Sequence, residues 1–281
     1  MKESPLTGKE ISAYAAFLRQ EERSPGTVDK YLRDTRAFAQ WLDKKALTRE
    51  TTIAWKEHLL TQGYAPVTIN SMLAAVNGLL RFLGHEDCRV KFLKVQRKLF
   101  RDPARDLSRP EYDRLLDTAR DLGQGRLELL METICATGIR VSEVKYITVE
   151  AAQRGRAEIA LKGKIRTILI PGKLARKLIK YAKKQKTASG EIFLTGNGRS
   201  LSRRQIWAEM KALCRRAGIA PTKVFPHNLR HLFATVFYKA CKDIIKLADV
   251  LGHSSIETTR LYLVTSGADH QRALDRLGLV S

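Results

Sequence analysis

Residues 157–171 read AEIALKGKIRTILIP, and this stretch decides the fold class. Two short runs rich in Ile and Leu, 157–161 and 165–170, flank the tight turn Lys162-Gly163-Lys164, a pattern that predicts a β-hairpin. Pro171, which has no N–H to offer a ladder, closes the second run. No other segment reads as a convincing strand. The chain is therefore predicted to be mainly α, with one small antiparallel sheet set among helices.

C-terminal to the hairpin, apolar periodicity predicts helices at 173–186, 202–217, 227–238 and 243–250, with a short one at 255–262. N-terminal to it, Leu107-Ser-Arg-Pro-Glu111 has the signature of a helix start, the apolar run Arg126–Thr137 ends at Gly138, and a further helix is expected from near Ser142. In the first third, Ser24-Pro25-Gly26-Thr27 puts a cap and a first-turn proline ahead of Val28, Leu32, Phe38 and Leu42. A shift of 41 residues nearly repeats this, so that Pro25, Thr27 and Phe38 fall on Pro66, Thr68 and Leu79. Two similar helices should pack together, and helices at 11–21 and 52–63 would complete a bundle of four or five. Between Val90 and Asp106 a run dense in Lys and Arg is interrupted by Pro103 and reads as a linker. The expected organisation is thus a helical domain over 1–100 and an α-rich domain with the small sheet over 101–281.

Composition points to a polyanionic partner. Of 281 residues, 51 are Lys or Arg and 29 Asp or Glu, a net charge of +22, and the basic residues recur along the whole length. Extended duplex nucleic acid fits this best, because neutralising successive phosphates releases counterions. Cys88, Cys135, Cys214 and Cys241 are far apart and form neither a CxxC pair nor a Cys/His ligand cluster, which argues against a disulfide framework and a zinc site. No apolar stretch approaches the roughly 18 residues of a membrane span, and the first ten residues lack a signal peptide's hydrophobic region. A cytoplasmic, nucleoid-associated protein with no membrane contact is expected.

Six residues of the second domain make a chemical set: Arg140, Lys162, His227, Arg230, His253 and Tyr262. A tyrosine hydroxyl, with a pKa near 10, attacks a phosphodiester only where cations stabilise the developing charge and an acid protonates the departing sugar oxygen. Arg140 and Arg230 suit the clamp, since a guanidinium presents a fixed fork of donors to non-bridging oxygens and keeps its charge. His227 and His253 can move protons near neutral pH, and a lysine on a hairpin turn can reach the leaving oxygen. This scheme needs no metal and no cofactor, and the sequence has no DxD, HExxH or acidic cluster with ligand spacing.

The contexts of these residues are recognisable together. Ala136-Thr-Gly-Ile-Arg140-Val-Ser-Glu143, His227-Asn-Leu-Arg230-His231 and Leu251-Gly-His253-Ser-Ser-Ile-Glu-Thr-Thr-Arg-Leu-Tyr262 closely resemble, in that order, the three signature boxes of the tyrosine recombinases, or phage-type integrases, in their short two-domain form. The first-third helices resemble that family's core-binding, SAM-like domain. The resemblance implies that Arg140 and Arg230 grip the scissile phosphate, His227 assists proton transfer, His253 bonds a non-bridging oxygen, and Tyr262 is the nucleophile of a 3′-phosphotyrosyl intermediate. It implies a supporting role for Glu143. The hairpin lysine is Lys162, ahead of the turn glycine, with Lys164 as the fallback because this turn is shorter than the family's. Arg203 and Arg204, beside the Ser202 cap, are candidates for DNA contact.

The resemblance further implies a clamp of two domains around duplex DNA bearing a specific site, a homotetramer that exchanges strands in pairs, a tail after Tyr262 that docks on a neighbouring subunit, and a directionality factor as a possible accessory. Integration or excision of a mobile element is the leading expectation. The alternatives are an Xer-type chromosome-dimer resolvase, a type IB topoisomerase-like enzyme, and a non-catalytic DNA-binding protein on the same fold.

Overall fold

The structure is a computed structural model that describes residues 6–43, 45–95, 103–161, 164–253, 255–260, 262 and 275–276. It divides into two compact units, Met1–Arg97 and Lys98–Ser281.

The first unit holds four helices, α1 (Gly8–Gln20), α2 (Pro25–Leu42), α3 (Arg49–Thr61) and α4 (Pro66–Phe82), followed by a 3-10 turn at Glu86–Cys88. The 41-residue offset is real at the level of helix starts: Pro25 and Pro66 each open a helix, and Ser24 Oγ accepts from the Thr27 N–H. α4 is the central element because it is apolar on more than one side. Ile69, Leu73, Val76 and Leu80 meet Phe38, Trp55 and Leu59, while Leu79 meets Ile11, Tyr14, Leu18 and Leu32.

The expected linker is shorter than its composition suggests. Asn77 and Asn70 on α4 each exchange two hydrogen bonds with the backbone, of Val90 and Leu93 respectively, at 2.7–3.1 Å. A carboxamide matches the donor and acceptor of an extended peptide, so these pairs tie 90–93 onto the bundle. At the other end, Pro103–Arg105 forms a 3-10 turn and Leu107 is buried in the second unit's core. The rest of the expected linker, 96–102, lies outside the described residues.

The second unit runs α5 (Arg109–Asp121), α6 (Gly125–Thr137), a 3-10 helix (Val141–Tyr146), α7 (Val149–Arg154), β1 (Arg156–Leu161), β2 (Lys164–Leu169), α8 (Gly172–Lys184), α9 (Arg203–Arg216), α10 (Pro226–Cys241), α11 (Ile244–Leu251) and α12 (Ile256–Arg260). Leu115, Leu130, Met131, Ile134, Leu178, Ile206, Met210 and Leu229 are fully buried and join α5, α6, α8, α9 and α10 in one core. The predicted mainly helical class with one small sheet is what forms: β1 and β2 pair antiparallel, with Ile159 opposite Arg166 and Leu161 opposite Lys164. Lys164 therefore belongs to β2 rather than to the turn, whose other two residues, Lys162 and Gly163, lie outside the described residues.

Two segments depart from expectation. The helix predicted from Ser142 is a 3-10 helix, with α7 starting only at Val149. Here Ile147 accepts from the Ile192 N–H and Thr148 forms a bridge with Glu191, so the chain is drawn extended just where an α-helix would continue. Thr148 then caps the restarted helix by accepting from the Ala151 N–H at 3.1 Å. At the other end, α12 is described over Ile256–Arg260, Leu261 lies outside the described residues, and Tyr262 is in a turn. The tail residues Ala268, Leu274 and Leu277, expected to dock on a neighbour, lie outside the described residues.

Candidate active site

Arg140 is placed by the end of α6. Gly138 caps that helix at φ +65°, and a Cβ there would overlap the ring of Phe233, so only glycine permits both the turn and the approach of α10. Ile139, fully buried, anchors the exit, and Arg140 becomes the N-cap of the 3-10 helix. Glu143, only 2 % exposed, holds it twice: Oε2 accepts from the Arg140 backbone N–H at 2.7 Å and Oε1 from Nη1 at 3.0 Å. The Arg140 side chain is still 42 % exposed, so its charge is presented outward.

Arg230 is its opposite in burial. It lies one turn into α10, which Pro226 opens, and is 2 % exposed. Nη1 donates to Gly138 O, Nη2 to Leu251 O at 2.8 Å and to His253 Nε2 at 2.9 Å, and Nε to the Tyr262 hydroxyl at 3.4 Å. Burial, chiefly, lowers its pKa to about 10, with the tyrosine bond opposing the shift and the charges of Arg140 and Arg166 adding to it. It stays charged at neutral pH.

The tautomer of His253 follows from its partners. An arginine only donates, so Nε2 accepts, and the ring proton sits on Nδ1, which donates to Thr259 Oγ1 at 2.8 Å. Burial, then the charges of Arg230, Arg140 and Arg166, lowers the His253 pKa to about 4, so the ring is neutral at pH 7. Because the folded value lies below the ordinary 6.5, the unfolded chain takes up this proton first on acidification. Stability from this residue is full above pH 6.5 and is lost as pH falls through about 4. Calorimetry over that window should show a smaller fall in Tm for His253→Gln than for the native protein; equal slopes would contradict the assignment.

Tyr262 is 8 % exposed and donates its N–H to Thr259 O at 3.0 Å. Its ring centroid lies 5.5 Å from that of His227, 5.5 Å from His231 and 5.6 Å from His253, the last nearly parallel at 20°. His227 is exposed at the α10 start while Asn228 beside it is buried, its amide donating to Arg105 O and Lys223 O. Thus α10, the α11–α12 turn, the exit of α6 and the turn after α12 gather five of the six predicted residues. The sixth, Lys162, lies outside the described residues, and Lys164 is described only as a backbone position of β2. Arg203 and Arg204 are elsewhere, exposed at the start of α9 behind the Ser202–Gln205 capping box. Among the described residues, His85, Asp87 and Cys88 are a further set that could hold a metal ion; they belong to the first unit, not to this site.

Sequence reasoning missed Arg166 and Thr259. The signal for Arg166 was strand alternation. Ile168 and Ile170 are buried and Leu169 is 72 % exposed, so an arginine two residues before Ile168 falls on the inward face. Its Nη2 pairs with Glu143 Oε2 and its Nη1 donates to Leu251 O.

Residues 105–267, more than half of the chain, match the model of the phage integrase family, and 11–87 match that of the phage integrase N-terminal SAM-like domain. The chain belongs to the phage integrase family. As one of its tyrosine recombinases it breaks and rejoins DNA, and the resemblance read from the three boxes holds. Tyrosine recombinase XerA of Pyrococcus furiosus is 28 % identical over 100 % of this chain and 98 % of its own length. Tyrosine recombinase XerD of Oceanobacillus iheyensis is 30 % identical over 90 % of this chain and 92 % of its own. Solved structures share the fold. XerH bound to its difH substrate has a TM-score of 0.69 at 18 % identity, covering 95 % of this chain and 84 % of that one. A lambda integrase (75–356) dimer bound to a COC′ core site has a TM-score of 0.72 at 17 % identity, covering 91 % and 94 %.

Proposed function

We propose that this recombinase performs site-specific strand exchange with Tyr262 as nucleophile. The observation that carries the reading is the Arg230 Nε–H directed at the Tyr262 hydroxyl, in a site that also holds Arg140 and Arg166 paired with the single carboxylate of Glu143. Such surroundings stabilise the negative charge that develops on the phosphorane. The phenol oxygen attacks the scissile phosphorus, its bond to the 5′-oxygen breaks, and a 3′-phosphotyrosyl link and a free 5′-hydroxyl result. Attack by another strand's 5′-hydroxyl reverses the step and releases the tyrosine, so the phosphodiester energy is conserved and no ATP is consumed.

Within this scheme Arg140 and Arg230 grip the non-bridging oxygens, Glu143 holds Arg140, and His227 relays the tyrosine proton; His253, whose Nε2 accepts from Arg230 before DNA is bound, moves its ring proton to Nε2 to donate to the phosphate, with Thr259 Oγ1 then donating to Nδ1. Lys162, or in its place Lys164, protonates the leaving oxygen. The second domain, 101–281, supplies this chemistry, and 1–100 is the core-binding domain. Arg203 and Arg204 contact the duplex, a role supported by their exposure and by the half-exposed Trp207 one turn further along α9. A homotetramer on DNA in the nucleoid, acting on a mobile element with or without a directionality factor, completes the reading. A second reading is chromosome-dimer resolution, favoured by the nearly end-to-end match to proteins named XerA and XerD.

Sequencing DNA covalently trapped on the protein in cells tests the proposal. One short sequence with fixed spacing between cleavage points is the expected result, at the ends of an element or at a single chromosomal locus under the second reading. Adducts scattered without a common sequence would refute site specificity and favour a topoisomerase-like activity.

A further inference from the structure

Arg166 joins the Glu143 carboxylate to the carbonyl of Leu251 without offering itself to the substrate. It sits on β2 with its side chain 14 % exposed, and both ends of its guanidinium are engaged. One end pairs with Glu143 Oε2, the carboxylate that holds Arg140. The other donates to Leu251 O, the same carbonyl that accepts from Arg230 Nη2 at 2.8 Å. Gly252, at φ +62°, lies directly on it, and a Cβ there would overlap the Arg166 Cδ. The hairpin, the Arg140 turn and the residue preceding the His253 turn therefore meet at one guanidinium.

We propose that Arg166 is a positioning residue of the strand-transfer site, offsetting the charge of Glu143 so that Arg140 keeps its own for the phosphate. This rests on the reading of Arg140 as part of the clamp. Glu143 carries one negative charge and touches two arginines, one on each oxygen. With Arg166 in place the trio keeps a net positive charge beside Arg230. Without it, Glu143 neutralises Arg140 and draws its guanidinium back toward the buried carboxylate, away from its half-exposed position. In a partly buried site this costs far more than at an open surface, because solvent screens the pair less. Burial disfavours the Arg166 charge while Glu143 sustains it, as expected of a cation whose partner is internal.

The test is a double-mutant cycle read by single-turnover cleavage of a nicked suicide duplex at saturating protein, with site binding measured separately. Arg166→Met keeps the stem under Gly252 and removes the charge. In the native background it should slow cleavage by about thirtyfold or more while changing site affinity less than about threefold. In a Glu143→Gln background, where no charge needs offsetting, the same change should cost less than about threefold. Equal losses in the two backgrounds, or cleavage by Arg166→Met within about threefold of the native rate, would overturn the proposal. Should Arg166→Met alone fail to fold, the comparison of Glu143→Gln with the double variant decides, since neither carries a lone buried carboxylate: a further loss of tenfold or more, on the order seen for residues acting directly, would overturn it. The reading underneath is checked apart from this, because native protein that forms no adduct through Tyr262 would refute the clamp and the positioning role together.

Discussion

Tyr262→Phe should form no covalent protein–DNA adduct while binding its DNA site within about threefold of the native protein, since only a group that acts in the transition state is lost. The ring itself is structural. It packs against the rings of His227, His231 and His253, and a phenylalanine keeps that packing. What disappears is one oxygen, whose bond to Arg230 Nε is a long one at 3.4 Å. That guanidinium keeps its bonds to Gly138 O, Leu251 O and His253 Nε2, so the variant should remain folded with little change in Tm. A suicide duplex nicked beside the cleavage point traps the adduct as a slow band in a denaturing gel. A band of native intensity from the phenylalanine protein would move the nucleophile to another residue.

How far this could be read from the chain depended on whether the signal was local. Helix starts were local: Ser24, Ser108, Ser202 and Asp243 each accept a hydrogen bond from the first-turn backbone, as their side chains and flanking residues predict. The hairpin was local as well, through its Ile-rich strands around a glycine turn. The three boxes carried most of the site because each holds its residues within a short stretch of chain. What escaped was long-range. Arg166 is 23 residues from Glu143 and 85 from Leu251, and nothing within its own strand names those partners. Asn70 and Asn77 look like ordinary polar residues of an apolar helix, yet they dock the chain 13 to 23 residues further on and shorten the linker. The interruption at Ile147–Thr148 depends on backbone pairing with Glu191 and Ile192, which only the folded second unit supplies. Opposed exposures of the two arginines also required three dimensions, for their box contexts treat them alike.

That difference in exposure gives the other large effect. Arg140→Ala and Arg230→Ala should each slow cleavage at least about a hundredfold, the loss expected when a charged donor is removed from a developing oxyanion. Their stabilities should part company. Arg140 is 42 % exposed and its side chain pairs with Glu143, which also retains Arg166, so its loss should cost less than about 1 kcal/mol. Arg230 is buried and serves Gly138 O, Leu251 O and His253 Nε2. Removing it leaves buried acceptors without that donor, each worth about 1–3 kcal/mol, although Leu251 O still has Arg166. Calorimetry beside single-turnover cleavage separates the two effects: Arg140→Ala should lose rate alone, and Arg230→Ala both rate and Tm. Cleavage by either variant within about threefold of native would remove that residue from the clamp. A fall in Tm as large for Arg140→Ala as for Arg230→Ala would mean that the outer arginine is held by the fold and not, as its exposure indicates, kept free for the phosphate.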